Sequence, residues 1–183
     1  ASGDIDGDSV EDVLVGAPYA GAAYLVFGPA MGTVALSSAD ATFLGPNAFV
    51  VNETWPVAPN GGGPWLANGP VSKWIAPQPP QATGNAAGNY TYRLTFNLAG
   101  LEPSTAVITG RWTSDNAGPG VLLNGASTGF TSDGNFPALG NPFTISSGFI
   151  DGINTLDFVV NNAGTGANPT AFRAEISGTA DVQ

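Results

Sequence analysis

From Asn89 to Leu98 the sequence NYTYRLTFNL sets an apolar side chain at every second position. Tyr90, Tyr92, Leu94, Phe96 and Leu98 share one face, and Thr91, Arg93, Thr95 and Asn97 share the other. A helix would scatter these residues around its axis, whereas a half-buried strand requires this period of two. Similar runs follow at regular spacing: AVITGRWTS, GVLLNG, PFTISSGF, NTLDFVVNN and TAFRAEISGTA, with turn residues between them. The pattern predicts an all-β domain over residues 89–179, an antiparallel β-sandwich or jelly roll. Gly 26 and Pro 15, without periodic runs of Lys, Glu or Gln, argue against helices. An apolar fraction of 43% in 183 residues is enough for the core of one ordinary domain.

The text before this domain reads differently. Residues 45–81 are rich in Pro and Gly and carry Trp55, Trp65 and Trp74, three of the four tryptophans. A disordered linker is normally poor in aromatics, so this stretch is expected to pack irregularly over one edge of the sandwich. Residues 1–28 read as an acidic loop followed by a hairpin, with VLVGAP and AAYLVFG as strands and YAGA as the turn. Two more short strands are expected in GTVALSSADATF, residues 32–43. The expected division is an N-terminal arm, 1–44, and a sandwich domain, 45–183, whose lead-in is 45–81.

Four basic residues (Lys73, Arg93, Arg111, Arg173) face fourteen acidic ones, a net charge of −10. No basic patch can form for nucleic acid or an anionic membrane. No apolar run approaches the roughly 18–20 residues that span a bilayer, so membrane insertion is not expected. Cys and His are absent, which removes disulfides, the usual zinc and copper sites, thiol nucleophiles and histidine acid–base catalysis. A chain that starts at Ala suits a processed or trimmed product. Low Lys with high Gly, Asn and Thr resembles bacterial secreted and surface proteins, which implies an extracellular or cell-surface location. Asn52-Glu53-Thr54 and Asn89-Tyr90-Thr91 are formal glycosylation sequons. Such triplets arise often by chance, and both are read as unmodified surface or strand residues.

Five of the first twelve residues are acidic. Asp4, Asp6, Asp8 and Asp12 occupy positions 1, 3, 5 and 9 of DIDGDSVED, and Val10 at position 7 offers its backbone carbonyl. Oxygen ligands at alternate positions of a tight turn converge on one hard cation, and Gly7 lets the backbone curl. Without a counter-ion these carboxylates would repel one another. Ca2+, which accepts 6–8 oxygens in loose geometry, suits the set better than Mg2+. An EF-hand loop would need Gly at position 6 and Glu at position 12, where this sequence has Ser9 and Val15. A dockerin-type loop fails at position 12 for the same reason.

What the stretch does resemble is an FG-GAP repeat of the integrin α-chain type. The likeness rests on DxDGDxxxDxxVGAP at residues 4–18, with Tyr24 and Phe27-Gly28 beyond it. In that family the loop holds calcium between propeller strands, which implies Asp4, Asp6, Asp8, Asp12 and the Val10 carbonyl here. FG-GAP repeats work as blades of a closed propeller, and this sequence contains one. A single blade has no closed core, so the arm is expected to dock on its own sandwich or on a neighbouring molecule.

The second half resembles galactose-binding-like jelly rolls, including ancillary sugar-binding domains of glycosidases and modules of bacterial secreted proteins with PEP-CTERM-type sorting signals. The pieces that match the jelly rolls are Tyr92, Arg93 and Phe96; then Val121, Leu123, Asn124, Gly125 and Gly129; and the run from Asn154 to Asn161, while PWLAN, SKWIAP and GNYTYRLTFNLAGL carry the likeness to the secreted-protein modules. A carbohydrate site on such a fold would use Trp65 or Trp112 as a stacking platform. Asp115, Asn116 and Asp133 would supply hydrogen bonds, with Arg111 beside them. The competing reading places the tryptophans in the core and the Asp and Asn residues in turns. Arg111 and Trp112 are adjacent in a strand, so only one of them faces the core.

Enzymatic activity is not expected. The acids outside the N-terminal loop are scattered, and no Ser or Thr has a His or an evident Lys base. Two readings remain. One is a structural subunit that self-associates, as an oligomer or a filament, by adding strands of its arm to a neighbour's sheet edge, stiffened by calcium. The other is a carbohydrate-binding or adhesion module whose partner is a glycan.

Overall fold

The structure, a computed structural model, describes residues 2–3, 12–13, 48–51, 64–78 and 84–183. The strands expected within 14–43 lie outside the described residues. Among the described residues all elements but one short 3-10 turn (Pro103–Thr105) are strands: β1 (Ser2–Gly3), β2 (Asp12–Val13), β3 (Phe49–Val50), β4 (Ile75–Ala76), β5 (Gly88–Asn97), β6 (Val107–Asp115), β7 (Gly120–Leu123), β8 (Ala126–Ser127), β9 (Phe143–Ile145), β10 (Ile153–Asn162) and β11 (Ala171–Thr179). β1 and β2 pair with each other. A four-stranded sheet runs β5-β10-β7-β8, and a five-stranded sheet runs β3-β4-β11-β6-β9. Every pairing is antiparallel. The result is an all-β sandwich.

The alternation read from the sequence is what joins the sheets. In β5, Tyr92, Leu94 and Phe96 are buried while Thr91, Arg93, Thr95 and Asn97 are exposed. Their neighbours across the ladder are Phe158, Leu156 and Asn154. Phe158 of β10 sits at the centre of an aromatic cluster that spans both sheets. It packs on Phe172 of β11 at 4.8 Å between ring centroids and on the Trp112 ring of β6 at 5.3 Å. Offset and tilted contacts of this kind add about 0.5–1.5 kcal/mol per pair beyond area burial.

The β7–β8 hairpin turns on Asn124 and Gly125, both at positive φ (51° and 80°). Two such residues match the two-residue turn whose twist suits a right-handed hairpin, which explains Asn-Gly here. The register that follows, Leu123 opposite Ala126, is tight.

Residues drawn from the Trp-rich stretch supply β3 and β4. β4 extends the five-stranded sheet past β11, with Ile75 opposite Phe172, and β3 follows with Val50 opposite Ile75. A second small core then forms on the outer face of this sheet. It is built from Val51, Trp65, Trp74, Ala76 and Ala171, with Leu66 and Phe136 packed against it. With the main core on its inner face and this third layer on its outer face, the last part of β6 is covered on both sides, so Thr113, Ser114 and Asp115 are all buried.

Candidate functional site

The acidic loop comes first. β1 and β2 set Ser2 opposite Val13 and Gly3 opposite Asp12. Directly opposed residues in an antiparallel pair lie about 4.5–5.5 Å apart at Cα, so the two ends of the stretch carrying Asp4, Asp6 and Asp8 are clasped together. Asp4, Asp6, Asp8 and Val10 themselves lie outside the described residues. The donor set their sequence offers is oxygen throughout, four carboxylates and one carbonyl, which fits Ca2+ and not a softer metal.

The six residues expected to form a carbohydrate site do not assemble into one. Trp65 and Trp112 are each 2% exposed. The Trp65 ring lies 4.7 Å from that of Trp74. The Trp112 ring is held between Phe158 and Phe172, and a Cβ added at Gly118 would fall 2.0 Å from its Cη2. Neither ring has a face free for a sugar, which corrects the expectation that either one is a stacking platform. Apolar burial decides this, because a large ring gains far more in the core than on a surface.

Asp115 is likewise internal, 8% exposed, and its Oδ2 accepts a 2.7 Å hydrogen bond from Trp65 Nε1. Burial pushes the Asp115 carboxyl above its ordinary range, and the Trp65 bond partly opposes that rise. Two expected ligand groups are therefore partners of each other, a bond that holds the lead-in segment on the sheet. Asn116 is half-buried, and its Oδ1 accepts from the Ala163 N–H at 2.8 Å. Asp133 is exposed in a neighbouring loop, brought near by Gly134, whose Cα hydrogen side approaches the Asn116 carbonyl. Arg111 is exposed on the outer face of β6, opposite Glu175 in register and on the other side of the sheet from Trp112.

The motif residues that resemble sugar-binding jelly rolls are also engaged with one another. Asn124 Nδ2 donates to Asn154 Oδ1 at 2.8 Å and to the Gly148 carbonyl at 3.0 Å, while Asn124 Oδ1 accepts from Thr155 N–H. Asn154, fully buried, also accepts from Ile150 N–H and donates to the Ile150 and Gly152 carbonyls. Arg93 forms a two-pronged pair with Asp157, both contacts at 2.7 Å. That contact raises the Arg93 guanidinium pKa further above its already high value.

Two features escaped the sequence reading. Arg173 is 4% exposed. It donates to Ser72 Oγ and to the Ala67 carbonyl, and Ser72 Oγ donates in turn to Glu175. Burial lowers its pKa, against the pull of Glu175. The second feature is an open groove of about 310 Å³ between the β7–β8 hairpin and the end of β9, lined by Ser127, Thr128, Phe130, Thr144 and Ser146 among others. No expected site residue lines it, and scattered Ser and Thr give no sequence signal for it.

Comparison with known proteins adds one match: residues 1–27 fit the family model of the FG-GAP repeat. No curated protein and no solved structure matches the chain. FG-GAP repeats are typical of extracellular, adhesion-type proteins. Among the described residues no helix is long and apolar enough to cross a membrane.

Proposed function

We propose that this is a non-enzymatic structural module of a bacterial extracellular or surface protein, which binds calcium in its FG-GAP repeat and self-associates by strand addition. The observation that carries this reading is β5. It runs ten residues, pairs with β10 along its whole length, and among the described residues has no strand on its other side. A long edge with one side unpaired is a template for another strand.

The surrounding chemistry agrees. Asp115, Asp157, Glu102 and Glu175 each make bonds that build the fold, to Trp65, Arg93, Ser104 and Ser72 respectively. Trp65, Trp74 and Trp112, the tryptophans among the described residues, are in the two cores and not on a surface where a glycan could stack. We read the sandwich as a galactose-binding-like jelly roll, because the asparagines of its two most distinctive motifs bond each other as brackets of the fold.

Sedimentation velocity over a concentration series, with Ca2+ and after chelation, tests the proposal. It requires a concentration-dependent heavy species that chelation diminishes. A single monomer boundary throughout, under both conditions, would refute it.

A further inference from the structure

We infer that the Asn124-Gly125 turn is a spontaneous modification site of this protein. Asn124 converts to aspartate and isoaspartate when the β7–β8 hairpin opens, and the product cannot restore the hydrogen bonds that hold the hairpin.

The dipeptide sets the chemistry. The Gly125 backbone nitrogen attacks Asn124 Cγ, the Cγ–Nδ2 bond breaks and ammonia leaves, closing a succinimide ring. Water then adds to one of the two ring carbonyls and gives aspartate or isoaspartate. Glycine in the following position has no Cβ to hinder the attack. The sequence has three such pairs, Asn60-Gly61, Asn68-Gly69 and Asn124-Gly125, of which the first lies outside the described residues.

The folded hairpin holds this reaction off in two ways. Asn124, at φ 51°, is the first corner of a type I′ turn, where φ is about 60° and ψ about 30°. Such a ψ sets Gly125 N nearly opposite Asn124 Cβ across the Cα–C bond, whereas ring closure needs the two on the same side. The side chain is also tied at both its polar atoms. Nδ2 donates to Asn154 Oδ1 at 2.8 Å and to the Gly148 carbonyl at 3.0 Å, and Oδ1 accepts from Thr155 N–H at 2.9 Å. Asn124 N–H donates to the Thr155 carbonyl at 2.8 Å. Attack on Cγ therefore requires the turn to swing away from β10 first.

Asn68 is tied as well. Its Nδ2 donates to the Val51 carbonyl at 2.7 Å, and its Oδ1 accepts from Trp74 N–H at 2.8 Å. Gly69 N–H, the nucleophile there, donates to the Ser72 carbonyl at 3.0 Å. What separates the two sites is the cost of release. Freeing Asn68 means lifting the layer built on Trp65 and Trp74, both fully buried. Freeing Asn124 means undoing β8, two exposed residues that pair with β7 alone among the described residues. Segments with few buried contacts open most often, so Asn124 reacts first.

The change runs one way. Aspartate in place of Asn124 lacks both Nδ2 donors and sets a carboxylate, which only accepts, against Asn154 Oδ1 and the Gly148 carbonyl. Isoaspartate adds a methylene to the main chain, which a two-residue turn does not accommodate. The same bonds join the two walls of the groove, with Ser127 and Thr128 on one and Gly148 on the other, so the modification loosens that groove too.

Peptide mapping by mass spectrometry, with isoaspartyl methyltransferase labelling, follows both sites in the full chain, native and in urea, at mildly alkaline pH. Asn68 and Asn124 should react at similar rates in urea. In the native protein both should slow, with Asn124 about tenfold or more ahead of Asn68, equivalent to about 1.4 kcal/mol in opening cost. The slowing at Asn124 should match the hydrogen-exchange protection of its own N–H, because one opening admits both reactions. The modified fraction should melt below the parent. Asn124 reacting as fast in the native protein as in urea, or behind Asn68, would overturn the inference. So would an Asn124 that stays intact for longer than its exchange protection allows, or a modified fraction that melts like the parent.

Discussion

Replacing Trp65 with Phe tests the claim that the lead-in segment is a built third layer and not a ligand platform. The phenyl ring still fills most of the site beside Trp74, but the 2.7 Å donor to Asp115 Oδ2 is lost. A hydrogen bond to a charged acceptor is worth roughly 1.5–3 kcal/mol and one to a neutral acceptor roughly 0.5–1.5 kcal/mol. Trp65→Phe should therefore cost about 2 kcal/mol at pH 7, plus a pH-independent increment for the smaller ring. Asp115 is held above its ordinary range by burial, and the Trp65 bond is what restrains that rise. A carboxyl whose folded pKa exceeds its unfolded one, about 3.9, contributes stability that is fully present below the unfolded value. That stability is lost as pH rises through the folded value. Removing the restraint pushes the folded value higher and enlarges the loss. The penalty of Trp65→Phe should accordingly shrink by about 1 kcal/mol between pH 7 and pH 3. Thermal melts can read this, since each kcal/mol corresponds to roughly 2–4 °C for a chain of this size. In an Asp115→Asn background the penalty should lose its pH dependence. A penalty that is flat with pH in the parent protein, or below about 0.5 kcal/mol at pH 7, would refute the reasoning.

Other substitutions follow from the same geometry. Asn154→Ala removes four hydrogen bonds from a fully buried side chain and should destabilise by about 3 kcal/mol in chemical denaturation, whereas an exposed-site control such as Thr95→Ala should change little. Gly110→Ala would place a Cβ 2.5 Å from the Glu175 carbonyl and 2.6 Å from Ile176 Cγ2, so β6 or β11 must shift, at a cost of about 1–3 kcal/mol in thermal melts. Asp6→Ala with Asp8→Ala should abolish calcium binding measured by titration calorimetry while leaving the near-ultraviolet signal of the buried tryptophans unchanged.

The sandwich was legible where burial is one-sided. β5, β6, β7, β10 and β11 carry their apolar residues at a period of two or in short buried runs, and the structure places them within a residue or two of the expected limits. β9 is shorter than the run PFTISSGF suggests, ending at Ile145 where Ser146 begins an exposed turn. β3, β4 and β8 were not legible, because two residues hold no periodicity. Their pairing is imposed from outside, by the Trp65–Trp74 cluster for β3 and β4 and by the Asn124-Gly125 turn for β8. The choice between Arg111 and Trp112 could be posed from the sequence but not decided there, and the ring won the core. The carbohydrate set failed for a related reason. Tryptophan and aspartate beside loops look alike in sequence whether they meet a sugar or each other, and here Trp65 and Asp115 are joined across fifty positions of chain. Arg173 had no sequence signal at all, since its partners Ser72 and Ala67 come from a stretch without periodicity.

The measurement that bears most directly on the central claim is electron microscopy of the purified protein in Ca2+ and after chelation, with glycan-array binding run on the same preparations. Self-association through the N-terminal repeat predicts assemblies of many copies in calcium, their loss or shortening on chelation, and no glycan signal. Monomers under both conditions, together with specific glycan binding, would contradict it.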